Sequence, residues 1–244
     1  MNYLERWYRD YMQAQDLVGF SVKIEESDLH FQANMDLTQL AKDTLEKERR
    51  NLKAYLRYHP QFATSLSPLS VSDFAPPVCQ LMAWAGKEAQ VGPMAAVAGA
   101  INERVGEVLL SQTNELIVEN GGDLLVASNK RRTVSLYAGE ESQFSFRLGI
   151  KLLPGKWGIA TSSGKVGPSL SFGKADAVVV VAHSAALADA WATSLANQVK
   201  KREDVEKVLK FSSSIKGIRG ILVVWGDVLG VRGEIELEKL SPPQ

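Results

Sequence analysis

Residues 176–197 read DAVVVVAHSAALADAWATSLAN. The apolar, β-branched run over 177–182, bounded by Asp176 and His183, reads as a strand, and the alanine-rich text after it reads as a helix. Within it Asp189 and Thr193 fall four positions apart, on one face. Two readings of that pair stand. Thr193 can bond back to its own helix while Asp189 is favoured by the helix dipole. Alternatively, the two supply oxygen ligands to a hard cation such as Mg²⁺, which completes its shell with water and substrate phosphates.

Around this stretch the text is mostly strand: LIVE (116–119), DLLVAS (123–128), TVSLYA (133–138), FSFRLGI (144–150) and GIATSS (158–163) before it. A charged segment, KKREDVEKVLK (200–210), and two further strands, GIRGILVVWGD and GEIELEKL, come after it. The first half differs. FSVKIEESDLHFQAN (20–34) alternates like a β-hairpin around an acidic turn, and residues 36–58 carry a helical apolar stripe with Asp36 as N-cap. The charge run Glu46–Arg50 reads as that helix's solvated face. Four prolines between 60 and 77 punctuate a connection, after which VCQLMAWAGKEA and PMAAVAGAINERVGEVLL read as helices separated by QVGP. Helices and strands are segregated early and interleaved late, which predicts an α+β fold with a mostly antiparallel sheet, one domain over 19–244. Residues 1–18 read as a helix whose Tyr3, Leu4, Trp7, Tyr8 and Tyr11 form a stripe for packing or for a homo-oligomer contact.

Composition narrows the function classes. The 244 residues include 28 basic and 28 acidic side chains, so no net field draws polyanions, and nucleic acid is not expected as a partner. One cysteine, Cys79, excludes an internal disulfide and reads as a buried structural thiol. The three histidines are scattered without HExxH or CxxC spacing, which argues against zinc. No apolar run is long enough for a membrane span and no secretory pattern opens the chain, so the expected location is cytoplasmic.

Two loops carry further candidates. In ENGGDLLV (119–126), Asn120-Gly121 is a hairpin signal, while the second glycine and Asp123 exceed what a two-residue turn needs and would let a ligand approach backbone N–H groups. In GIATSSGKVG (158–167), a strand runs into Thr161, Ser162, Ser163, Gly164 and Lys165, a set of hydroxyls, an amide and a cation suited to phosphate, though also to a solvated hairpin. It is not a GxxxxGK[ST] loop.

Taken in order, GPMAAVAGAINERVGEVLL, NGGDLL, WGIATSSG and ADAWATSLAN resemble the motifs of the ApbE-type flavin transferases over about residues 90 to 200. That family transfers FMN from FAD to a Ser or Thr of an acceptor protein with Mg²⁺. The resemblance implies the ApbE-like α+β fold, Asp189 and Thr193 as metal ligands, and Asn120, Gly121, Gly122, Asp123 and the Thr161–Gly164 loop as the lining of a site for FAD or a related dinucleotide. The chain departs from the pattern twice. PSLSFGKADAVVVV stands where the family carries a His-Ile-x-Asp-Pro-x-Thr-Gly segment, and AVAGAIN stands where it carries Lys-Gly. The resemblance is therefore to a divergent cytosolic branch, with two activities to weigh: Mg²⁺-dependent flavin transfer or FAD pyrophosphate cleavage, and non-catalytic binding of a flavin or nucleotide.

Overall fold

The computed structural model describes residues 8, 9, 12, 14–164 and 172–241. Most of the expected N-terminal helix, and the Lys165 end of the hydroxyl-rich loop, lie outside the described residues. The chain opens its regular structure with the expected hairpin, β1 (Val18–Ile24) and β2 (Ser27–Ala33), turning at Glu25, whose φ is +53°. Helices α1 (Thr38–Tyr58), α2 (Gln61–Thr64) and α3 (Pro77–Ala89) follow, and a 3₁₀ turn over Pro93–Ala96 runs into α4 (Val97–Leu109). Then come β3 (Leu116–Asn120), β4 (Asp123–Ser128), β5 (Arg132–Ser135), β6 (Leu148–Leu152), β7 (Gly155–Ser162) and β8 (Ala177–Ala182). Helices α5 (Ala185–Gln198) and α6 (Asp204–Ser212) and strands β9 (Ile218–Trp225), β10 (Val228–Gly233) and β11 (Glu236–Lys239) complete it.

An eight-stranded sheet runs in the order β1-β2-β3-β4-β7-β8-β9-β10, antiparallel at each pairing, and β11-β6-β5 form a second, three-stranded antiparallel sheet. One core joins the helices to one face of the large sheet and another joins its opposite face to the small sheet. Strand β8 shows why 177–182 lacks polar alternation. Val178, Val180 and Ala182 enter the helix-side core and Ala177, Val179 and Val181 enter the other, so both faces are covered. The architecture is the expected α+β arrangement with a mostly antiparallel sheet.

Helix α5 meets both α4 and β7 at close range because glycine stands at the crossings. A Cβ at Gly99 would come within 2.2 Å of the Ala185 carbonyl oxygen, and one at Gly158 within 2.4 Å of the Ala185 Cα. Any side chain there would push the helices off each other and off the sheet.

Four local expectations are corrected. The cap residue of α1 is Leu37, and Asp36, one position earlier, instead accepts from the Thr38 N–H at 2.8 Å. Glu48, inside the charge run, is buried at 3% exposure, because its position on α1 turns inward toward Arg104, 3.8 Å away. The segment expected only as charged text forms α6, with Val205 and Val208 buried and its charges outward. Residues 144–147 form turns, with Phe146 at φ +57°, so strand β6 begins only at Leu148.

Candidate functional site

The pieces singled out in the sequence converge where β4 and β7 run under the start of α4 and the first turns of α5. Asp123 opens β4 and pairs across the turn with Asn120, with Gly121 and Gly122 between them at φ +68° and +100°. The hairpin reading of that turn is therefore correct, and the turn also delivers a carboxylate. Strand alternation puts Asp123 on the same face as Leu125, toward the helices, and puts Ser162 on the same face as Ala160. Thr161 by the same alternation faces the other way and contributes its backbone: its N–H donates to Asp123 Oδ1 at 3.3 Å. Ser163 continues the chain, and Gly164 is exposed and tied back to the Ala175 carbonyl at 3.0 Å.

Helix α5 supplies Asp189, with Thr193 one turn further along the same face and partly buried. Asp189 does not serve its own helix. Its Oδ2 accepts from the Gly99 N–H at 2.9 Å, and the Ala98 N–H also bonds it, so the carboxylate caps the first turn of α4 from outside. Burial pushes its pKa up to about 7 despite those two amides. Asp123 is pushed well above the usual carboxylate range, first by burial and next by the charge of Asp189, with the Thr161 N–H opposing. The charge of Asp189, itself only partly buried, thus reaches the buried Asp123 and disfavours its ionisation.

Two neutral groups join them, Ser162 as expected and Asn102 unforeseen. Asn102, fully buried on α4, donates from Nδ2 to the Asp123 carbonyl at 3.0 Å, and its Oδ1 has no partner among the described residues. Ser162 Oγ is likewise buried and without a partner among them. Unpaired buried oxygens cost stability unless something outside the described chain, a ligand or a water, meets them. The signal for Asn102 was available: an amide inside a helix of small apolar residues is a polar group with nowhere to go but a neighbour. Glu119 was also overlooked. It is 1% exposed, and its Oε1 accepts from the Gly122 N–H at 3.0 Å, fastening the turn before Asp123.

No cluster of three or more His, Cys, Asp or Glu side chains is arranged for a metal among the described residues. Any cation here would rest on two carboxylates supplemented by hydroxyl, amide or substrate oxygens, which suits a hard ion. A separate cavity of about 390 Å³ is lined by Tyr55, His59, Phe62, Val71 and Phe74 among others, with no carboxylate, lysine or arginine, so it does not suit phosphate. No helix among the described residues is long and apolar enough to cross a membrane.

The family model described as "AbpE bacteria" matches residues 9–216. A UPF0280 protein of Methanococcus aeolicus is 40% identical over 227 residues, covering 90% of this chain and 91% of its own length. Another, from Methanocaldococcus jannaschii, is 42% identical over 203 residues, covering 80% and 82%. Among solved structures, a variant of the flavin transferase ApbE from Vibrio cholerae superposes with a TM-score of 0.57 at 13% identity, covering 89% of this chain and 97% of that one. The ApbE protein of Thermotoga maritima gives 0.57 at 12% identity with the same coverage. At such identities these structures share the fold.

Proposed function

The chain belongs to the family described as "AbpE bacteria", and from that premise we propose that it binds FAD or a related dinucleotide with Mg²⁺ and cleaves its pyrophosphate. Cleavage would release AMP and pass FMN to water or to a hydroxyl of an acceptor protein. The observation that carries the reading is the buried Asp123 and the partly buried Asp189, each with a raised pKa, together with the oxygens of Ser162 and Asn102 that have no partner among the described residues. Oxygen-only donors fit Mg²⁺, and a cation would relieve the repulsion by which the Asp189 charge disfavours the Asp123 carboxylate.

Asp189 and Thr193 are the ligands we assign, with Asp123 close enough to Asp189 for their charges to interact. When bound, Mg²⁺ supplies neutralisation of charge on the phosphate oxygens. The chain's own groups do the rest. The Gly99 and Ala98 amides hold the Asp189 carboxylate in one orientation. The Gly121-Gly122 turn carries no side chain, so a nucleotide would meet backbone there. Ser162 Oγ and Asn102 Oδ1 are available to position a phosphate-bound water or a ribose hydroxyl.

One observation favours a second reading. The Asp189 carboxylate already has a structural task at the start of α4, and a protein using it only as a cap would be a flavin- or nucleotide-binding module without turnover. The discriminating experiment incubates the protein with FAD and Mg²⁺, with and without EDTA, and separates FAD, FMN and AMP beside an Asp189→Asn control. AMP formation that needs the metal and disappears in Asp189→Asn supports cleavage. Tight FAD binding with no AMP from folded protein supports the module, and neither binding nor cleavage rejects both.

A further inference from the structure

On the opposite face of the large sheet, the N-terminal segment is fastened to the back of this site. Arg9 Nε donates to Glu119 Oε2 at 2.6 Å, while its Nη1 and Nη2 donate to the Asp28 carboxylate at 2.6 Å and the Asp28 carbonyl at 2.7 Å. The Tyr8 hydroxyl donates to Glu119 Oε1 at 2.8 Å, the same oxygen that takes the Gly122 N–H. The backbone pairing of β2 with β3 ends at His30 opposite Glu119, so Asp28 and the turn lie beyond the ladder, and Arg9 bridges the fork. At Gly122 the turn opens onto space: among the described residues nothing lies within 4 Å of where its Cβ would sit. The turn is attached to the sheet through the Asn120–Asp123 pair and the bond to Glu119.

We infer that Tyr8 and Arg9 are positioning residues that act through Glu119 and Gly122 to fix Asp123. This rests on the reading of Asp123 and Asp189 as the ligand site. Arg9 matters more than Tyr8, because its guanidinium pairs with the 1% exposed Glu119 and, through two further bonds, with Asp28, whereas Tyr8 gives Glu119 one neutral hydroxyl. Without that clamp the Glu119 carboxylate would shift, and its acceptor geometry toward the Gly122 N–H would change. Tyr8 and Arg9 then set, from one face of the sheet, the geometry of the site on the other face.

The test uses the full chain with Arg9→Gln, Arg9→Lys and Tyr8→Phe. It measures amide hydrogen exchange without metal, and binding of Mn²⁺ as a probe at fixed pH. Arg9→Gln should speed exchange at Gly122 and Asp123 by roughly tenfold, the effect of losing one charge-assisted bond, while β8 keeps its protection. Its Mn²⁺ affinity should fall by a similar factor, Arg9→Lys should recover part of both, and Tyr8→Phe should change each by about threefold or less. Unchanged exchange and affinity in folded Arg9→Gln would overturn the inference, as would a uniform rise in exchange that includes β8. Should Arg9→Gln not fold, the partial losses expected of Arg9→Lys and Tyr8→Phe decide on the same two readouts. If the unsubstituted chain binds no Mn²⁺ while exchange at the turn still rises in the variants, the metal reading fails and the positioning role stands.

Discussion

Asp189 shows how one residue can serve two requirements at once. Its carboxylate caps α4 and faces Asp123, and burial raises its pKa to about 7. A carboxyl whose folded pKa lies above its unfolded value binds more protons when folded. Its contribution to stability is therefore complete below about pH 4 and is lost as pH rises through about 7. Asp123 has the same sign. In metal-free protein, the melting temperature should fall between about pH 4 and 7 relative to Asp123→Asn, in which this loss is reduced; parallel pH profiles would contradict the assignment. Cys79 offers a control at the same scale. Burial, then the nearby Glu48 charge, pushes its thiol up to about 12. It should stay inert to a thiol reagent at pH 8 until the chain is unfolded in denaturant. Of the site residues, Asp123, Ser162, Asp189 and Thr193 were legible as motif letters. Asn102 left only the weaker trace of an amide inside an apolar helix, and Glu119 left none, because what marks it is burial beside a particular partner, which no spacing rule encodes.

At the scale of elements, the periodic ones were readable and the compromised ones were not. Helices α1, α3, α4 and α5 announced themselves by apolar stripes or by small-residue runs. Helix α6 was hidden by its charges, and β10, VLGVRG, by two glycines and a short length. The N-cap of α5 is Ser184, whose Oγ accepts from the Leu187 N–H at 3.2 Å and donates to the buried Glu103 at 2.6 Å. The crossing of α4 over α5 depends on Gly99. Gly99→Ala should cost about 2 to 4 kcal/mol in urea unfolding, since the nearest atom is a backbone carbonyl that cannot rotate aside. A cost under about 0.5 kcal/mol would mean the two helices tolerate separation. Because Asp189 bonds the Gly99 amide, the same substitution should weaken Mn²⁺ binding.

For the whole molecule, ligand binding and stability should be linked. If Asp189 and Thr193 hold a divalent cation, Mg²⁺ at a hundred times its dissociation constant should add about 2.7 kcal/mol to the folded state. It should add nothing to Asp189→Asn, and differential scanning fluorimetry with and without EDTA measures both. The overall architecture was legible because helices and strands are segregated along the first half of the chain. The second layer was not, since its third strand comes from the far end of the chain, with β11 pairing β6 across more than 80 residues. Strand β8, sheathed on both faces in the finished fold, has a consequence for how that fold is reached. Until the helices and the small sheet have both arrived, AVVVVA is a six-residue stretch without charge, proline or glycine, a composition that stacks readily with copies of itself. Refolding yield should therefore drop steeply with protein concentration, and a lysine replacing Val179 would protect the unfolded chain from aggregation only by ruining the folded one.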